Sequence, residues 1–101
     1  MSVKFVKFFD RGEYIINSET ILMIESSGNY IKIFFESKNK VNVISPLGRL
    51  KELDLPHEIF SRINRFNILN KSKVAFIQDN EITFKNGLRK ALKGKCKLEM
   101  L

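Results

Sequence analysis

The chain has 101 residues, 18 of them Lys or Arg against 11 Asp or Glu, for a formal charge of +7 at pH 7. That length holds one small domain, and an apolar share of 44% is enough for a folded core. The single cysteine, Cys96, excludes a disulfide-stapled module, and no run approaches the ~18 apolar residues of a membrane helix, so a reducing cytoplasm is expected.

The charge is uneven. Residues 1–50 carry seven Lys/Arg against five Asp/Glu, and residues 51–101 carry eleven against six. Lys85, Arg89, Lys90, Lys93, Lys95 and Lys97 fall within thirteen residues that contain no acid. A positive field of this kind attracts nucleic acid and anionic membranes alike, although such a run also suits a solvated edge.

In chain order the elements read as all-β with one short helix. Val3 to Phe9 is β-branched and aromatic, Asp10-Arg11-Gly12 is a hairpin turn, and Glu13 to Ile16 returns. Ile21 to Glu25 is the next apolar run, broken at Gly28. Tyr30 to Phe35 then places Ile31, Ile33 and Phe35 on one face and Tyr30, Lys32 and Phe34 on the other. Ser37 to Lys40 turns the chain into the alternating Val41-Asn42-Val43. Ser45-Pro46 predicts the helix: Ser45 is a capping residue, proline fits the first helical position, and Leu47, Leu50 and Leu53 form a stripe ended by Asp54-Leu55-Pro56. Asp79-Asn80 and Lys85-Asn86-Gly87 are hairpin turns flanked by Lys73 to Gln78, Glu81 to Phe84 and Leu88 to Leu92. The tail after Gly94 is expected to be loose.

Residues 61–70, Ser-Arg-Ile-Asn-Arg-Phe-Asn-Ile-Leu-Asn, interleave cations and amides with aliphatic anchors. Arginine offers a planar fork for phosphate or the O6/N7 edge of guanine, and asparagine matches the N6/N7 edge of adenine. The same residues also cap turns and pair with carboxylates. Enzyme chemistry has little support. His57 and Cys96 stand 39 positions apart, the five glycines are isolated, and neither metal spacing nor a nucleophile motif is present. A binding module without metal or cofactor is the better class.

The order of these elements resembles the LytTR family of bacterial DNA-binding domains, over about Val3 to Lys93. The match is carried by Ile24-Glu25-Ser26-Ser27-Gly28-Asn29-Tyr30, by Ser45-Pro46-Leu47-Gly48-Arg49-Leu50 through Leu53, and by Phe60 through Asn70, with Ile82 to Lys93 as the closing hairpin. The resemblance implies an elongated arrangement of small antiparallel sheets that inserts loop residues into successive major grooves, commonly on paired direct repeats. Carried over, the base-contacting positions are Asn29 or Tyr30, then Asn64 and Arg65, then Lys93. Phosphate contacts would come from Lys71, Lys73, Arg89 and Lys90, and from Arg62, which can equally brace its loop against Glu58. The chain departs from the family where Phe66 stands in place of a hydroxyl residue and Lys93 in place of arginine.

The implied role is a two-component-type transcription regulator in the cytoplasm that binds double-stranded DNA, with a second copy on an adjacent repeat as a further partner. If Met1 is the natural start, the domain stands alone with no receiver domain ahead of it. The competing class is a protein-interaction module that binds a cytosolic or membrane-bound regulatory partner through exposed strand edges. Single-stranded RNA binding is a third option, disfavoured because most of the nine phenylalanines sit in apolar runs.

Overall fold

The computed structural model describes residues 5–96, and in it ten strands form three antiparallel sheets. A ribbon is made of β1 (Phe5–Phe9) and β2 (Glu13–Asn17). The middle sheet contains β3 (Ile21–Ser27), β4 (Tyr30–Ser37), β5 (Lys40–Ile44), β6 (Phe60–Arg62) and β7 (Asn67–Asn70), in the order β5-β4-β3-β7-β6. The last sheet runs β10-β9-β8, from β8 (Val74–Gln78), β9 (Glu81–Phe84) and β10 (Arg89–Ala91).

The middle sheet is covered on both faces, which is why β3 begins as the unbroken apolar run Ile21-Leu22-Met23-Ile24, all buried. A register shift between Ile21 and Met23 interrupts the alternation. Ile21 and Ile24 consequently join a core with Phe8, Ile16, Ile31 and Leu50, whereas the adjacent Leu22 and Met23 both turn to a second core with Val74, Ile77, Ile82 and Phe84. A second register shift, between Val74 and Phe76, interrupts the alternation in β8, so that Val74 and Ile77 join the same core. The molecule measures 36 × 30 × 24 Å.

Local turn chemistry behaves as the sequence implies. Lys38 and Asn39 take φ of 53° and 62°, and Asp79 and Asn80 take 51° and 60°, the paired left-handed residues of type I′ hairpins. Gly28 at φ 63° opens the two-residue turn between β3 and β4, leaving Asn29 at its tip.

The helix expected from Ser45 to Leu53 does not form. Gly48 has φ of 154°, Arg49 is extended at φ −128° and ψ 144°, and only Leu50–Glu52 closes a single 3-10 turn. The chain continues instead along the edge of β4. The Ile31 amide donates to the Pro46 carbonyl at 2.9 Å and the Gly48 amide donates to the Asn29 carbonyl at 3.0 Å. The Ser45 amide donates to the Asp10 carboxylate at 2.8 Å. The Pro46 carbonyl, which a helix would pair internally, and the Ser45 and Gly48 amides, which a helix would leave to a cap, are thus already paired with the sheet and the first hairpin. Leu50 is buried but Leu47 is exposed, so the three-residue leucine spacing does not mark one packed face.

The expected loose tail is tied down at its start. The Lys95 carbonyl accepts from Asn64 at 3.3 Å, and the Cys96 amide donates to Asn80 at 2.8 Å. Residues 97–101 lie outside the described part. Among the described residues no helix is long and apolar enough to cross a membrane.

Candidate nucleic-acid interface

Three segments distant in sequence meet at one end of the middle sheet: the β3–β4 turn, the β6–β7 turn (63–66), and the stretch that leaves β10 (92–96). The Ser26 amide donates to the Phe66 carbonyl at 2.7 Å, joining the first two. The Lys93 ammonium donates to the Ser26 carbonyl at 3.0 Å, joining the third to the first.

Asparagines lock the third segment in place. Asn64 donates through Nδ2 to the carbonyls of Lys93 (3.0 Å) and Lys95 (3.3 Å), while its Oδ1 accepts from the Phe66 amide (2.9 Å) and from Asn67 Nδ2 (3.0 Å). Asn67, fully buried, also donates to the Lys93 carbonyl at 2.8 Å. From the far side, Asn80 donates to the carbonyls of Leu92 (3.0 Å) and Gly94 (2.6 Å). Gly94 must be glycine on two counts. Its φ is 72°, and a Cβ there would stand 2.7 Å from Phe66 Cδ2.

The surface so assembled is cationic. A cleft of about 340 Å³ is lined by Arg49, Lys51, Arg62 and Arg65 together with Ser26, Gly28, Asn29 and Leu50. None of those lining residues is an acid. Arg62 donates to the carbonyls of Asn64 (3.3 Å) and Arg65 (3.1 Å), so it braces its own turn through backbone oxygens. The Arg65 guanidinium lies 5.5 Å, and the Lys93 ammonium 5.3 Å, from the centroid of the Phe66 ring.

The positions singled out in the sequence divide into groups. Asn29, Arg65, Lys93 and Arg62 come together at this end. Asn64 is there too, with both amide functions committed to the clamp. Tyr30 is not in the cleft of Arg62 and Arg65 but lines a separate shallow depression with Phe9, Arg11, Tyr14, Val43 and Leu47. Lys71 and Lys73 follow β7 at its far end, near Glu36, which is six residues or about 20 Å along β4 from Tyr30. Lys73 is 3.6 Å from Glu36 and Arg89 is 2.7 Å from Glu81. Lys90 is 2.9 Å from Glu25, a partly buried pair that ties β10 to β3. Arg49 and Lys51 were not singled out, because they fall inside the expected helix. No signal in the sequence marks them, because what brings them beside Arg62 and Arg65 is the pairing of this stretch with Asn29 and Ile31.

Fold and site together define a class: a small β domain whose sheet-anchored turns present one cation-rich tip. The sequence profile of the LytTr DNA-binding domain matches residues 12–98, and the chain belongs to that family. It is therefore a DNA-binding domain of the kind that serves transcription regulation in response regulators. Among solved structures, it resembles the LytTr DNA-binding domain of a response regulator from Bacillus cereus, with 20% identity and a TM-score of 0.68 over 89% of this chain and 84% of that one. No curated protein matches it.

Proposed function

We propose that the protein recognises a specific duplex sequence by presenting the tip formed by its three converging turns to the major groove. The observation that carries this reading is the meeting of Asn29, Arg65 and Lys93 from three distant segments on one cationic end. In it, Arg65 and Lys93 reach base edges with Asn29 beside them, while Arg49, Lys51 and Arg62 hold phosphates. Asn64 serves as the clamp that fixes Lys93. A transcription regulator of this kind acts in the cytoplasm, on paired direct repeats where a second copy lies on the adjacent half-site.

The test is selection of duplexes from a random library at roughly 0.15 M salt, where exposed charges more than about 8 Å apart are screened. The expected result is one short motif, repeated at about 10.5 base pairs as half-sites one helical turn apart. On the selected duplex, Arg65→Ala should cost about 1–3 kcal/mol and relax preference at one base pair. Retention without enrichment would reduce the protein to a nonspecific basic binder.

A second reading, a protein-interaction surface, is favoured by one observation. The outer face of the β1–β2 ribbon exposes Phe5, Phe9 and Ile15 by 60–65%. A partner held there would bind with little dependence on salt, whereas duplex binding weakens steeply as salt rises.

A further inference from the structure

Phe66 is an aromatic residue in a turn, only partly buried, and it belongs to neither hydrophobic core. Its surroundings are instead cationic. Arg65 and Lys93 lie 5.5 and 5.3 Å from its ring centroid, both inside the roughly 6 Å within which the ring face attracts a cation. The backbone that carries the ring is fixed on both sides, the Phe66 amide donating to Asn64 Oδ1 at 2.9 Å and its carbonyl accepting from Ser26 at 2.7 Å, and Gly94 passes against the ring's edge. The Arg65 guanidinium makes no hydrogen bond among the described residues, so its five N–H donors stay available while the ring aims it. Lys93 has one bond, to the Ser26 carbonyl, and retains two protons for a ligand.

We infer that Phe66 is a positioning residue whose ring sets Arg65 and Lys93 as one two-pronged reader of guanine edges. The inference rests on the duplex reading proposed above. From the two ring distances the charges lie within about 11 Å of each other, or about three base-pair steps of 3.4 Å. Guanine is the partner because its major-groove edge offers two acceptors, O6 and N7, to both arginine and lysine. The selected motif should therefore hold two guanines, on either strand, no more than about three steps apart.

The experiment compares the full chain as wild type, Phe66→Tyr and Phe66→Leu. It reads the ratio of affinities for the selected duplex and a scrambled one, together with the thermal midpoint of each protein. Phe66→Leu should lower the ratio about tenfold, the size of two exposed cation–π contacts, with affinity for the scrambled duplex unchanged. Phe66→Tyr should keep the wild-type ratio. A wild-type ratio in Phe66→Leu would overturn the inference, as would loss of both affinities in step with the thermal midpoint. Where Phe66→Leu does not fold, Arg65→Ala and Lys93→Ala separately and combined supply the answer. Their effects on the ratio should depart from additivity by about threefold or more, and additivity would sink the idea. An enriched motif with an indifferent Phe66 leaves duplex reading intact and removes only this role, whereas no enriched motif removes both.

Discussion

Asn64, Asn67 and Asn80 perform one task from two hairpins: their side-chain amides hold the backbone of residues 92–96, on which Lys93 is carried. Gly94 completes that arrangement by letting the backbone pass beside the Phe66 ring. Gly94→Ala should lower stability by about 1–3 kcal/mol, the usual cost of overpacking, with added strain from the positive φ. Urea denaturation would measure it, and an unchanged midpoint would mean that the ring moves aside freely. The importance of residues 61–70 was legible in the sequence from their residue types alone. Which asparagine reads a base and which clamps the fold was not. An amide has the same donors and acceptor for either purpose, and the partner of Asn64 lies 29 residues away.

At the scale of elements, hairpins could be read and the helix could not. Each hairpin tip carries its own instructions, as in Asp79-Asn80, whose residue types tolerate the left-handed conformation without help from elsewhere. The stretch from Ser45 to Leu53 depends instead on a strand more than ten residues earlier. Once β4 offers Ile31 and the turn before it offers Asn29 as partners, Gly48 and Arg49 are extended and the leucine spacing loses its meaning. Contacts between elements are equally hidden in the sequence, and Lys90 is the clearest case. Read as a phosphate contact, it joins β10 to Glu25 on β3 at 2.9 Å and sits 5.1 Å from the Phe34 ring centroid. Lys90→Met should destabilise the fold by about 1–3 kcal/mol, because it leaves the mostly buried Glu25 carboxylate unpaired. Adding Glu25→Gln should recover at least part of the loss, and a double mutant no more stable than the single would argue against the pair as the cause.

For the molecule as a whole, the formal charge of +7 already subtracts every carboxylate, so the field a ligand meets depends on where the cations gather. Lys73, Arg89 and Lys90 each face a carboxylate at 2.7–3.6 Å and Arg49 has Glu52 at 4.0 Å, whereas Lys51, Arg62 and Arg65, which share a cleft with Arg49, have no acid in its lining. Under the proposed function, Arg49→Ala and Lys51→Ala should each flatten the log-log dependence of duplex affinity on salt by about 0.9, and Lys73→Ala should leave it unchanged. Titrations between about 50 and 200 mM salt would decide, and equal slopes for all three variants would move the phosphate contacts elsewhere.

The position of β3 between two cores also governs how the protein is made. Its Leu22 and Met23 are synthesised well before the side chains that cover them, Val74 through Leu92. At about 5–20 residues per second, that face of the nascent chain remains open for roughly 4 to 14 seconds on every ribosome. A slower ribosome would lengthen that exposure in proportion.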